Sequence, residues 1–196
     1  MSGTVRALEL ITSGAMAKAL DTSTEDPRLV ARYGGATFLQ ARRLVEVGVR
    51  CVSLTIAGWD SHNDNFNVMR SKLPSLSRQL TALIEDLDAR SMLDDTIIMV
   101  SGEFGRTPRI NGKAGRDHWP ASAFFFLAGG GFRHGQVVGS TSARGEVPKD
   151  RPVQLQHVFH TLYHQLGIDA NTTTLIDSNG RPQYLVDHRE LIHELV

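Results

Sequence analysis

Apolar residues recur every three or four positions in four stretches of the chain, which is the spacing of a helix that buries one face. The clearest stretch carries leucine and isoleucine on one stripe, with charged residues around the rest of the helix. Helices are therefore predicted over Thr4–Leu20, Thr37–Glu46, Pro74–Arg90 and Val153–Leu166. Gly48 follows the second of these helices and is expected to end it.

Two further stretches have the β-branched, apolar composition of buried strands. They are Val49–Ala57, which contains the single cysteine Cys51, and Thr96–Ser101. A strand, a helix and a strand in that order predict a parallel βαβ unit with a right-handed crossover. We therefore expect an α/β protein with a mostly parallel sheet, and we expect the Cys51 thiol to be buried in a strand.

A third apolar run, Ala121–Ala128, ends at three consecutive glycines, Gly129–Gly131. Such glycines allow close approach to a phosphate, but the full dinucleotide-binding pattern is missing and no helix clearly follows. We interpret the glycines as a turn, and a nucleotide-binding oxidoreductase is kept only as a minor alternative. The segment Asn171–Val196 mixes apolar and polar residues without a clear period.

The composition narrows the classes of partner. The 196 residues suit a single domain over residues 1–196, and 41% of them are hydrophobic, enough for a sizeable core. Basic and acidic residues number 21 each, so the net charge of zero favours neither nucleic acid nor an anionic membrane. No run of ~18 apolar residues predicts a membrane span, and the first residues lack the pattern of an export signal.

Three polar motifs on glycine-bounded loops carry the candidate chemistry. They are Gly58–His62 (GWDSH), Gly102–Pro108 (GEFGRTP) and Gly115–Pro120 (GRDHWP). The first two follow the predicted strands, and sites in α/β sheets form beyond the carboxyl ends of strands. Carboxylates and imidazoles together are good ligands for zinc, manganese or iron. The motifs therefore predict a divalent metal site at one sheet edge.

Each candidate ligand also has a plainer interpretation. Asp60 and His62 are two residues apart, so in extended backbone both side chains reach the same side; alternatively, Asp60 caps the next segment and His62 is solvated. Glu103 is either a metal ligand or an ion-pair partner of a nearby arginine. Asp117 and His118 form a ligand pair if their loop folds back over the sheet edge, although a turn role for Asp117 is equally compatible with the sequence.

Other polar residues are weaker candidates. Arg106 and Arg116 flank the same loops, where a guanidinium would clamp a phosphate or sulfate oxygen or form a structural ion pair. Three histidines, His157, His160 and His164, share helical spacing. Such a cluster binds metal in some proteins, but we interpret it as a solvated or half-buried helix face.

The runs GWDSHNDNF, LDDTIIMVSGEFGRTPRIN, GRDHWP, AGGGF and GQVVGST closely resemble a large bacterial family, the domain-of-unknown-function family fifteen-oh-one, often described as sulfatase-like. The resemblance covers most of the chain and places it in the alkaline phosphatase superfamily. It implies a sandwich of a mostly parallel sheet with helices on both faces, hydrolysis of phosphate or sulfate esters, and an exported protein.

Residue by residue, the resemblance implies that Asp60, His62 and His118 belong to one metal site, and that Glu103 stands where the superfamily has an Asp of a second site. Phe104 departs from the pattern, which has His there, and Asp117 would have to compensate. The divalent metal implied is zinc, with manganese or calcium as alternatives. The resemblance further implies that this chain is the C-terminal portion of a longer protein whose N-terminal part carries the nucleophile.

Two functions follow as expectations. The first is a metal-dependent phosphate- or sulfate-ester hydrolase in which Arg106 steadies the anion and glycans are among the substrates. The second is a non-catalytic metal- or anion-binding module that recognises a glycan or a protein. An open sheet without its first strands would expose an apolar edge, so we also expect self-association.

Overall fold

The computed structural model describes residues 3–196, which form two compact units. The first comprises the described residues up to Ser91 together with Asn111–Gly115, and the second comprises Met92–Ile110 and Arg116–Val196. Apart from one long helix in the first unit, both units are made of short elements joined by loops. Among the described residues, no helix is long and apolar enough to cross a membrane.

The first unit is helical. Its α-helices are α1 (Gly3–Thr12), α2 (Ala15–Leu20), α3 (Pro27–Tyr33), α4 (Ala36–Glu46) and α5 (Asn65–Ala89), with a 3-10 turn at Thr22–Thr24. The predicted helix over residues 4–20 is divided at Gly14, whose positive φ of 70° suits glycine. Its apolar stripe is exposed on α1, where Ile11 is 67% accessible.

The long helix α5 begins nine residues before the predicted start at Pro74. A proline inside a helix removes one main-chain hydrogen bond and usually ends the helix, which is why the sequence favoured a start there. The first turn is instead held by a separate part of the chain. The amides of Asp64 and Asn65 donate to the carbonyls of Lys113 and Ala114 at 3.0 and 2.9 Å.

The core of the first unit combines apolar side chains with buried charge. Tyr33 and Leu39 are fully buried, and Leu87 of α5 is 1% exposed. Arg42, also 1% exposed, forms ion pairs with Glu25, Glu46 and Asp86. The helices therefore pack around a charged cluster as well as an apolar core.

The second unit contains one helix, α6 (Leu155–Gln165), and four two-stranded antiparallel sheets. The sheets pair β1 (Ile98–Ser101) with β4 (Phe125–Ala128), β2 (Gly105–Arg106) with β3 (His118–Trp119), β5 (Ser140–Thr141) with β6 (Pro148–Asp150), and β7 (Thr174–Ile176) with β8 (Pro182–Tyr184). Its buried residues include Val158 of α6 and Ile192 near the C-terminus.

The C-terminal segment is held against α6 through a buried hydroxyl. Thr161, which is inaccessible to solvent, accepts from the Ile192 amide at 2.9 Å and donates to the His157 carbonyl at 2.7 Å. Arg151 adds an ion pair with Glu194 at 2.7 Å. The mixed sequence after Asn171 thus forms a hairpin followed by an anchored tail.

The predicted mostly parallel α/β sheet, and with it the alkaline-phosphatase-like sandwich, is wrong for this structure. All strand pairs among the described residues are antiparallel, and β1 pairs with β4 rather than with a preceding strand. The predicted strand Val49–Ala57 forms no strand in the described chain, and Leu54 is 38% exposed. Cys51, predicted to be buried, is exposed. Apolar, β-branched composition indicates extended backbone but does not choose its partner.

Other predictions are confirmed. Helix α4 matches the predicted Thr37–Glu46 within one residue, and α6 lies within the predicted Val153–Leu166. Gly129–Gly131 form a turn, as interpreted, and all three have positive φ. The Phe132 amide closes the turn by donating to the Gly129 carbonyl at 3.1 Å.

Candidate functional site

In the first unit, Asp60 and His62 form a close pair on the loop before α5. The His62 Nε2 and Asp60 Oδ1 atoms are 3.1 Å apart, and the side chains are 41% and 59% exposed, respectively. Two ligands of one ion at ~2.1 Å are separated by about 3.0–3.4 Å, depending on the coordination geometry. A carboxylate oxygen and an imidazole nitrogen at this separation therefore fit a divalent cation in both chemistry and spacing.

The residue between them faces the other way. Ser61 is 6% exposed, and its hydroxyl donates to Asn65 Oδ1 at 2.5 Å. Asn65 is itself 7% exposed. Because side chains alternate in extended backbone, anchoring Ser61 inward leaves Asp60 and His62 directed outward together.

A turn formed by Asn111–Gly115 holds the other side of this loop. Asn111 Nδ2 donates to the His62 carbonyl at 3.0 Å, while its Oδ1 accepts from the amides of Lys113 and Gly115, both at 2.9 Å. A Cβ atom at Gly115 would overlap the His62 carbonyl. The turn therefore requires glycine there for close backbone approach.

Lys72 of α5 contacts the start of the same loop. Its ammonium donates to the Ala57 carbonyl at 3.0 Å and lies 5.7 Å from the centre of the Trp59 ring, a cation–π distance. A Cβ atom at Gly58, whose φ is 85°, would crowd this ammonium. Helix α5 thus fixes the loop both at Ala57 and at Ser61.

In the second unit, the structure brings together Arg106, His118 and Phe104. Arg106 on β2 lies directly opposite His118 on β3, so their side chains share one face. The centres of the Phe104 and His118 rings are 4.4 Å apart. The guanidinium carbon of Arg106 lies 5.7 Å from the centre of the Phe104 ring. Phe104, which stands where the sequence resemblance implied a histidine, therefore packs against the two predicted site residues.

The remaining candidates have different surroundings. Glu103 is exposed on the bend after β1, and Asp117 is half-buried. The Asp117 main chain pairs with Thr107, accepting from its amide at 2.9 Å and donating to its hydroxyl at 3.1 Å. Arg116 donates to the carbonyls of Thr107 and Pro108 at 2.6 and 2.8 Å. Arg116 therefore has a structural role, because it holds the loop by binding main-chain carbonyls in place of the ion pair considered from the sequence.

The three histidines of α6 do not share one environment. His157 and His160 are 9% and 6% exposed, respectively, whereas His164 is exposed. The prediction of a solvated or half-buried face is therefore wrong for the first two. His157 Nδ1 accepts from the Gln154 amide at 3.3 Å, which caps the start of the helix. With Nδ1 accepting, a neutral His157 carries its proton on Nε2, which faces Glu190 at 3.8 Å.

Sequence reasoning did not identify the residues that hold the Asp60–His62 loop, chiefly Ser61, Asn65 and Asn111. A local signal existed for one of them. Asn111 precedes Gly112, and Asn-Gly is a strong turn dipeptide. No local signal could show that this turn would contact His62, which is forty-nine residues earlier in the chain.

The chain belongs to the family described as "Protein of unknown function (DUF1501)", whose model matches residues 3–196. The match confirms the family named from the sequence motifs. Neither the comparison with curated proteins nor the comparison with solved structures found a match.

Proposed function

We propose that this protein binds a divalent cation through Asp60, His62 and His118 and uses it in the hydrolysis of phosphate or sulfate esters. The observation that carries the proposal is the exposed Asp60–His62 pair, with its ligand atoms 3.1 Å apart. Each of the three residues offers one suitable ligand atom, a carboxylate oxygen or an imidazole nitrogen. This donor set suits zinc best, with manganese next.

Chain connectivity supports the inclusion of His118. Gly115 lies against the His62 carbonyl within the first unit, and His118 follows three residues later. Three extended residues span at most about 11 Å. His118 is therefore within reach of the pair along the chain itself.

The bound cation would polarise an ester oxygen and stabilise developing charge. Arg106 would bind the anionic group of the substrate, because a planar guanidinium forms paired hydrogen bonds with phosphate or sulfate oxygens. Phe104, packed on Arg106 and His118, would restrict the directions in which these side chains point. Glu103 and Asp117 are proposed only as further ligands of the same cation or of a second one.

The resemblance to sulfatases and phosphatases noted from the motifs supports the same reaction class. It extends the proposal to an exported protein acting on ester groups, including those of glycans. The nucleophile is not assigned. Ser61 is buried and bonded to Asn65, and the Thr107 hydroxyl donates to the Arg109 carbonyl at 2.8 Å.

Because both hydroxyls already donate hydrogen bonds within the protein, neither is an obvious nucleophile. This favours a second candidate, a non-catalytic module that uses the cation to recognise an anionic glycan or protein. The two candidates differ in turnover. A metal-dependent release of phenol from an aryl phosphate or aryl sulfate supports the hydrolase. Metal-dependent binding of the same compounds without product supports the module.

Cation binding itself is tested by calorimetric titration of the chain with zinc or manganese. We expect Asp60→Ala and His118→Ala to weaken binding at least about tenfold, as loss of a direct ligand should. His164→Ala is the matched control, because it removes an exposed imidazole from α6. Unchanged affinity in both Asp60→Ala and His118→Ala would refute the ligand assignment.

A further inference from the structure

The loop that carries the proposed cation pair is held by a hydrogen bond on each side. On one side, Ser61 is buried and bonded to Asn65 of α5. On the other, the His62 carbonyl accepts from Asn111 Nδ2 at 3.0 Å. The peptide units that carry Asp60 and His62 are therefore fixed, while their side chains stay accessible.

The side-chain amide of Asn111 makes two kinds of contact, one through its oxygen and one through its nitrogen. Its Oδ1 organises the turn by accepting from the amides of Lys113 and Gly115. Its Nδ2 joins that turn to His62. The carbonyls of Lys113 and Ala114 in the same turn accept from the amides of Asp64 and Asn65, where α5 begins. A single side chain thus links the candidate ligand loop to the start of the longest helix.

We infer that Asn111 and Ser61 are positioning residues that set the Asp60–His62 pair in cation-binding geometry before the cation arrives. Residues behind metal ligands orient them, and loss of such a residue typically weakens metal binding 10–100-fold. Neither Asn111 nor Ser61 needs to touch the cation. The inference rests on the proposed function only in requiring that Asp60 and His62 bind a cation.

Asn111→Asp isolates the positioning role. The carboxylate still accepts from Lys113 and Gly115, so the turn is retained, but the donor to the His62 carbonyl is replaced by an acceptor. The added negative charge by itself favours a cation, so weaker binding reports the lost positioning. Asn179→Asp makes the same charge change at an exposed position in the second unit.

Ser61→Ala tests the other anchor by removing the hydroxyl that bonds to Asn65. Its matched control is Ser71→Ala on α5, because the Ser71 hydroxyl is exposed and bonds only within its own helix, to the Val68 carbonyl. If Asn111→Asp fails to fold, as judged by circular dichroism, the Ser61 and Ser71 pair decides the question.

The experiment titrates zinc by calorimetry and cobalt by its visible absorption bands, using the full chain and each variant. We expect about tenfold weaker zinc binding and altered cobalt bands in Asn111→Asp and Ser61→Ala. The two controls should match the unmodified chain. Cobalt bands report ligand geometry, so a purely structural role would leave them unchanged.

Two negative results are distinguishable. If the chain binds zinc and Asp60→Ala abolishes binding, but Asn111→Asp and Ser61→Ala bind within about twofold of the unmodified chain, the positioning inference is overturned and the proposed site survives. If the unmodified chain and Asp60→Ala bind equally, the proposed site itself is overturned.

Discussion

Two clusters of ionisable side chains in the first unit show how burial changes the role of a carboxylate. The Arg42 cluster joins a 1% exposed guanidinium to Glu25, Glu46 and Asp86. The Asp60–His62 pair has a similar contact distance but is about half exposed on both sides. Buried charges must be paired because leaving one alone in a low-dielectric interior is costly. An exposed pair costs little to separate, which is what the proposed cation binding requires.

The buried cluster is extensive. Tyr33, fully buried, donates to Asp86 at 3.0 Å, and burial, reinforced by the adjacent carboxylate, raises the pKa of its hydroxyl. Arg43 also bonds to Glu25. Burial makes Glu25 harder to ionise, but hydrogen bonds from Arg42 and Arg43 outweigh this and lower its pKa. The two arginines therefore favour the ionised form of Glu25.

The largest effect should come from Arg42→Ala, which leaves buried carboxylates without their shared partner. We expect a loss of about 3–5 kcal/mol in the free energy of unfolding, measured by urea denaturation. Arg32→Ala is the matched control. Arg32 pairs with Glu85, and both side chains are about half exposed, so its loss should cost at most about 1 kcal/mol. Equal losses of unfolding free energy in the two variants would show that burial does not make the Arg42 cluster more important to stability than an exposed ion pair.

Tyr33→Phe should have the next largest effect. It removes the hydroxyl that donates to buried Asp86 and leaves an acceptor with one bond fewer, at an expected cost of about 1–3 kcal/mol. Tyr184→Phe, at a residue that is 53% exposed, should be close to neutral. If Tyr33→Phe leaves the free energy of unfolding unchanged, the Tyr33 hydroxyl does not contribute to the stability of the cluster, and the arginines alone stabilise it.

Acid should weaken the cluster through Glu25. Its pKa is lowered below the ordinary value of 4.5 in the folded chain, so the folded state binds fewer protons than the unfolded state as pH falls past that value. The stability it contributes is present above about pH 4.5 and is lost as pH falls through the lowered pKa. Urea denaturation at several acidic pH values should show a shallower decline in Glu25→Gln. An identical decline would exclude Glu25 as a contributor.

Asp60→Ala should have the smallest effect on folding, within about 0.5 kcal/mol, because the side chain is exposed. Its effect on zinc affinity should nevertheless be large. Thermal unfolding with and without zinc measures both, since a ligand that binds the folded state raises the melting temperature. Marked destabilisation of the zinc-free chain by Asp60→Ala would show that this pair also holds the fold.

Local patterns predicted much of the helical structure. Helices α4 and α6 were placed from the spacing of apolar residues, and the glycine turn after β4 from its composition. Sheet pairing was not predicted, because the partner of β1 lies more than twenty residues later and composition does not specify it. The start of α5 was missed because its first amides bond to a distant turn.

The sequence by itself determined the family, the helical periods and the residue types of the proposed ligands Asp60, His62 and His118, because it specifies residue chemistry and local spacing directly. Only the tertiary structure decided that Ser61 faces inward, that Asn111 holds the His62 carbonyl, and that every described strand pair is antiparallel. The Asn111 contact and the pairing of β1 with β4 join residues distant along the chain, and Ser61 faces inward because the loop packs against α5. Such contacts are chosen by the packing of the whole fold.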